Sequence, residues 1–153
     1  MSAPHDALAP VSFLLGTWTG DGRGHYPTTP DFTYEEEATF SHNGKPFLIY
    51  SQRTRSPGGM PMHAETGYLR PVDGRIELVL AHPFGAVEIC EGTLEGNRIE
   101  LESTSVATTS SAKLLEATRR VIEVTGNELS YDFFMAAAGQ ALEHHLSATL
   151  RKA

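Results

Sequence analysis

Seven histidines, one cysteine and several carboxylates are the side chains in this sequence with chemistry to offer. The histidines are His5, His25, His42, His63, His82, His144 and His145. No two stand four residues apart, so none pair on one helical face as a zinc hydrolase requires. Cys90 is alone, which excludes an internal disulfide, a four-cysteine zinc site and an iron–sulfur cluster. No G-x-S-x-G elbow is present, and Cys90 lies between Glu88 and Glu91, whose charge raises a thiol pKa and blunts it as a nucleophile. The run Glu35-Glu36-Glu37 divides across a strand: Glu35 and Glu37 are expected in solvent, and Glu36 faces inward or carries a charge pair.

These residues sit on a chain punctuated by turns. Asn43-Gly44 and Asp73-Gly74 are strong hairpin signals, and Gly58-Gly59, Gly96-Asn97 and Gly126-Asn127 mark further turns. Between them the apolar pattern has period two, as in Ile76, Leu78 and Leu80, or in the clean alternation of residues 98–102. Val87 and Ile89 fall with Glu91, opposite Glu88 and Cys90. About ten strands are predicted, at 17–25, 33–41, 46–54, 62–70, 75–81, 86–91, 98–102, 113–124, 128–136 and 143–151. Residues 6–15 can form one or two helical turns capped by Asp6 and interrupted by Pro10. Residues 112–124 could be helical, but Val121-Ile122-Glu123-Val124 favours a strand. The Ser-, Thr- and Ala-rich stretch 103–112 includes a loop.

Ten consecutive short strands form an all-β antiparallel meander, and closing it into an up-and-down barrel hides its edges. A barrel of that size is too wide for side chains alone to fill and encloses a ligand cavity. A β-sandwich is the alternative. The 153 residues are read as one domain, 1–153, with a short N-terminal helical segment. The net charge of −7 disfavours nucleic acid and anionic membranes. There is no apolar run of transmembrane length and no basic head leading an apolar stretch, so a cytoplasmic protein is expected.

Gly16-Thr17-Trp18-Thr19-Gly20-Asp21-Gly22 is neither a dinucleotide fingerprint nor a phosphate loop. Its simplest role is structural: the glycines let the first strand bend and Trp18 plugs one barrel end. Together with Tyr26-Pro27-Thr28, Phe32-Thr33-Tyr34-Glu35-Glu36, Gly44-Lys45-Pro46-Phe47-Leu48, residues 61–68, Ala81-His82-Pro83-Phe84-Gly85 and residues 145–150, this motif resembles the nitrobindins, haem-binding β-barrels shaped like fatty-acid-binding proteins. The resemblance covers nearly the whole chain. Gly16, Trp18, Gly20 and Gly22 match the family's G-x-W-x-G-x-G.

The resemblance implies noncovalent haem b, one per chain, with His145 as the proximal iron ligand. It implies that Met62, His63, His82 and Met135 line the haem pocket, His63 as a distal polar neighbour, and that Thr28 and Lys113 lie near the haem edge. It implies isomerisation of peroxynitrite to nitrate and reversible binding of nitric oxide, with no catalytic residue beyond the iron. The expected partners are these small molecules, not nucleic acid or a membrane, and a homodimer is compatible with this reading. Physical chemistry agrees: a lone neutral imidazole leaves the iron's sixth position open, and no C-x-x-C-H is present for covalent attachment. Met62, Leu80, Phe133 and Met135 suit the wall, and Lys113 could pair with a propionate. A carrier of a fatty acid or other apolar ligand, or a haem or nitric oxide sensor, is the alternative function.

One conflict arises within the last strand. Alternation groups His144 with Leu146, Ala148 and Leu150, and His145 with Ser147, Thr149 and Arg151. Parity turns His144 inward if the apolar face lines the cavity; the resemblance selects His145.

Overall fold

The structure, a computed structural model, describes residues 2–153. A 3-10 helix (Asp6–Leu14) precedes ten strands: β1 (Gly16–Tyr26), β2 (Thr29–Ser41), β3 (Leu48–Arg55), β4 (Pro61–Val72), β5 (Arg75–His82), β6 (Ala86–Glu95), β7 (Arg98–Thr108), β8 (Leu115–Thr125), β9 (Glu128–Ala137) and β10 (Glu143–Lys152). Each pairs antiparallel with its sequence neighbours, and β1 pairs with β10 to close the barrel. Closure leaves no free edge, which resolves the choice between barrel and sandwich.

The turns behave as their residues require. Asp73 and Gly74 both take positive φ, as a two-residue hairpin with strand-matched twist demands. The stretch 103–112 is less of a loop than its composition suggests, because β7 continues to Thr108 and only 109–114 leave the sheet. The last predicted strand but two likewise begins at Leu115, which leaves Lys113 and Leu114 in that loop.

The helix closes one end. Leu8, Val11 and Leu14 recur every third residue, which aligns them on one face of a helix with three residues per turn. All three are fully buried and join Trp18 in the core. The indole Nε1 donates to the Leu14 carbonyl at 2.9 Å, so Trp18 does plug this end. The cap differs from expectation: His5 Nδ1, and not Asp6, accepts the Ala7 amide. Pro10 stays inside the helix, where on the solvent side it removes one donor and no packing.

In an up-and-down barrel, alternate turns share an end. The loops at 27–28, 56–60, 83–85, 109–114 and 138–142 therefore ring the mouth opposite the helix. Register shifts at Gly24/Tyr26, Arg53/Arg55, Leu115/Ala117 and His144/Leu146 lie in the strand halves nearest this mouth. Extra residues at a barrel rim bend strands and re-aim side chains.

Candidate functional site

The barrel encloses a cavity of about 680 Å³. Its aromatic side is made possible by the glycines of β1. Gly22 faces Tyr34 and Gly24 faces Phe32 across the β1–β2 pair, and a Cβ at either position would collide with the opposing ring. The glycines thus make room for two cavity-lining rings. Tyr26, also inward, has its hydroxyl tied to β9: it accepts the Ala137 amide at 2.8 Å.

His145 occupies this side. In the pairing of β10 with β9, His144 stands opposite Phe134 and Leu146 opposite Phe133, so His145 is the extra residue of a bulge. A bulge breaks the strict alternation, and His145 and Leu146 both line the cavity. Tyr26 and Phe32 meet the imidazole edge-on with centroids at 5.3 and 6.0 Å, and Phe133 lies at 6.1 Å. His145 Nδ1 lies 3.0 Å from the His25 carbonyl, an acceptor only, so Nδ1 carries the proton and Nε2 keeps a free lone pair. Burial lowers the His145 pKa, which favours the neutral ring. His144 is exposed, its Nε2 against the Leu146 carbonyl at 3.0 Å and Asp132 at 2.9 Å.

The opposite side is charged. On β6 the alternation buries Glu88 and Cys90 and exposes Val87 and Ile89. Arg120 of β8 grips Glu88 with two hydrogen bonds, Nη1 to Oε1 and Nη2 to Oε2, each 2.9 Å. Thr118 Oγ1 and His82 Nε2 complete the shell of the same carboxylate. Burial pushes the Glu88 carboxyl up, but Arg120, His82 and Thr118 outweigh it and hold the group well below the carboxylate range. His82 in turn stacks on His63 at 5.3 Å, and Glu65 completes a triad with them. Burial also works against Glu65, yet His63, Arg120 and His82 hold its pKa below the ordinary value. Beyond Glu65, Glu36 points inward and receives the Tyr131 hydroxyl. There burial prevails, pushing Glu36 up to about 7 against the hydrogen bonds from Tyr131 and Gln52. Glu35 and Glu37 pair outside with Arg55 and Arg53. The two sides meet where the Arg120 guanidinium lies 4.7 Å from the centre of the Phe133 ring.

Of the residues singled out in the sequence, Met62, His63, His82, Lys113, Met135 and His145 line this cavity. Met62 and Lys113 are exposed at its mouth. Thr28 lies on the exposed turn between β1 and β2 and is not part of the lining. Leu80 packs in the core and not on the wall, which Leu78 forms instead. Cys90 has a cation nearby after all: Arg120 Nη1 lies 3.6 Å from its sulfur. The thiol is nevertheless pushed up to about 11, chiefly by burial. Glu65, Glu88, Arg120 and Tyr131 were missed by sequence reasoning. Glu65 shares a strand face with His63, and Arg120 with Thr118; that parity was the available signal.

The chain matches the model of the THAP4-like, heme-binding beta-barrel domain over residues 7–152. It belongs to this family. A protein of Nocardia farcinica named peroxynitrite isomerase is 51% identical, the match covering 98% of this chain and 93% of that protein. A peroxynitrite isomerase 1 of Mycolicibacterium paratuberculosis is 53% identical over 97% of this chain and 96% of its own length. The crystal structure of Rv2717c from M. tuberculosis superposes with a TM-score of 0.92 at 46% identity, covering 99% of both chains. Recognition of the nitrobindin motifs and the barrel expectation both hold.

The family implies haem, and the residues present fit it. The cavity volume lies within the roughly 300–1,000 Å³ of small-molecule and cofactor sites. One side offers an imidazole with its proton on the nitrogen away from the cavity, the pattern of a histidine oriented to ligate metal. Phe32, Phe133, Met135 and Leu146 supply apolar wall. Lys113 places an ammonium at the mouth, a charge complementary to a propionate.

Proposed function

We propose that this chain, acting as one functional unit over residues 1–153, is a haem-dependent peroxynitrite isomerase that also binds nitric oxide reversibly. The observation that carries the reading is the bulged His145, with Nδ1 held by the His25 carbonyl inside an aromatic pocket. The naming of half-identical relatives as peroxynitrite isomerases supports it. Haem, if held by this neutral imidazole, would supply an iron able to exchange small ligands, the chemistry that the isomerisation of peroxynitrite to nitrate needs, with no net electron transfer.

The protein's part is to bind, orient and enclose. His145 Nε2 would be the atom that holds the iron, and the His25 carbonyl fixes the tautomer and ring direction. Tyr26, Phe32 and Phe133 hold the ring from three directions and keep that side dry. His63 and His82 present polar imidazoles from β4 and β5 on the same cavity. Met62 and Phe84 flank the mouth above them. The expected partners are peroxynitrite and nitric oxide. A cytoplasmic location accords with a single unpaired, buried thiol.

Stopped-flow mixing of the ferric, haem-loaded chain with peroxynitrite tests this. Decay should accelerate in proportion to protein, nitrate should be the main product, and free tyrosine should be nitrated less. Haem-free protein is the control, since Met60 and Met62 are exposed and can be consumed stoichiometrically. Equal behaviour of the two forms over many equivalents would overturn the isomerase reading and leave a haem or nitric oxide binder.

A further inference from the structure

His63, Glu65 and His82 offer three ligand atoms to one point beside the cavity. His63 Nε2 lies 3.3 Å from Glu65 Oε1 and 3.2 Å from His82 Nδ1. The third side of the triangle, His82 Nδ1 to Glu65 Oε1, is 3.8 Å. Zinc bonds to nitrogen and oxygen of ~2.0–2.2 Å place tetrahedral ligands about 3.3–3.6 Å apart. The triangle thus already has nearly the size of one face of a metal's coordination shell.

The outer contacts orient these atoms for that purpose. His82 Nε2 is engaged by Glu88, whose charge Arg120 neutralises through two hydrogen bonds. With the Nε2 proton given to Glu88, His82 Nδ1 turns a lone pair toward the triad. Glu65 is fixed from behind: the Tyr50 hydroxyl donates to Oε2 at 2.9 Å and leaves Oε1 to the histidines. Among the described residues, Glu65 has no ion-pair partner other than His63 and His82. Two acceptors, Glu65 Oε1 and His82 Nδ1, therefore compete for the one proton His63 Nε2 can supply. A cation between them satisfies all three groups at once. A carboxylate, a histidine and a metal in line is a recurrent arrangement for raising ligand basicity and fixing the ring.

We propose that His63, Glu65 and His82 bind one divalent transition-metal ion of the zinc or iron(II) class, with a further coordination position open to the cavity that His145 also lines. Two imidazoles and one carboxylate suit such ions and disfavour calcium or magnesium, which take all-oxygen shells. Three protein ligands with one position free is the pattern of a site that exchanges small ligands, not a closed structural one. The inference rests on the triad's own geometry and stands or falls apart from the haem reading.

The test uses the untagged, full-length chain, freed of haem and stripped of metal, titrated with Co²⁺ and then with Zn²⁺. One equivalent of Co²⁺ should bind with visible d–d absorption, and Zn²⁺ should displace it. Its paramagnetic shifts should fall on the imidazole resonances of His63 and His82. E65Q, nearly isosteric, and H82A should each weaken binding at least about tenfold, while H145A should bind as the wild type does. Absence of a visible band at millimolar Co²⁺, shifts falling on His145 instead, or binding lost in H145A but kept in E65Q would overturn the proposal. The wild-type spectra decide the matter even if H82A does not fold.

Discussion

The side of the cavity around His145 is aromatic and nearly free of charge, whereas the side built from β4, β5, β6 and β8 carries two carboxylates, a guanidinium and two imidazoles. Both keep polar groups out of water, by different means. Around His145, burial is the chief cause that lowers the pKa and one backbone carbonyl sets the tautomer, so the ring is neutral and Nε2 is free. Around Glu88, burial is opposed by a bidentate guanidinium, so the charges persist. A dry wall prepares one uncharged ligand atom; a paired wall fixes the directions of several polar ones.

The largest effect expected from breaking this contrast is at His145. H145A should lose haem almost completely, read as loss of the ferric Soret band, with the charged side undisturbed. If haem retention survives H145A and fails in H144A, the assignment of the two sides is wrong.

Next come losses of stability. Arg120→Met leaves Glu88 buried without its cation and should destabilise the fold by about 3–5 kcal/mol in urea denaturation. Pairing it with Glu88→Leu should recover most of that, because the buried charge goes as well. In the wild type, the low Glu88 pKa makes a contribution present above the ordinary carboxylate pKa and lost as pH falls through the folded value. Trp18→Ala belongs to neither side: it should cost about 3–5 kcal/mol by opening the plugged end, while the Soret band of haem in the folded fraction keeps its position. A Trp18→Ala chain of unchanged stability that has lost haem would move Trp18 into the site.

A smaller, pH-dependent effect is expected at Glu36, which sits among Tyr34, Tyr131, Gln52 and Glu65 with no ion-pair partner among the described residues. Its folded pKa, about 7, lies above the unfolded value, so its contribution is full below the unfolded pKa and declines as pH rises through 7. At about 1.4 kcal/mol per pKa unit, the decline by pH 8 is at most ~3 kcal/mol. Glu36→Gln should remove it, so that the stability difference between variant and wild type grows from pH 5 to pH 8. A pH-independent difference would mean that Glu36 stays charged. The smallest effect is H144A, which should leave the haem spectrum unchanged, its ring being outside on Asp132.

Much of this architecture is legible in local patterns. Ten runs of period two between turns predict ten strands, and the observed bounds differ by at most four residues except in β7, which runs six residues past its predicted end. Glu36 was expected inward or in a charge pair, and it is inward. The apolar rule misleads on β6. Val87 and Ile89 are the apolar residues there, yet they face solvent and Glu88 is buried, because the inner face of β6 meets His82 of the adjacent strand and Arg120 of β8. A short window around residue 88 contains His82 but not Arg120, the cation that makes the burial tolerable.

By itself, the sequence determined an antiparallel meander of about ten strands, since turn chemistry and strand alternation are properties of neighbouring residues; the pairing of β1 with β10 decided the barrel against a sandwich. The sequence also singled out two adjacent histidines, His144 by strand parity and His145 by resemblance. Which of the two lines the cavity is a matter of tertiary structure. Alternation assumes an unbroken ladder, and the ladder between β10 and β9 breaks at His145, where one residue of β9 is matched by two of β10. A bulge is a property of pairing between strands, so the parity that turns His144 inward is reset before it reaches the mouth, and His145 enters the cavity.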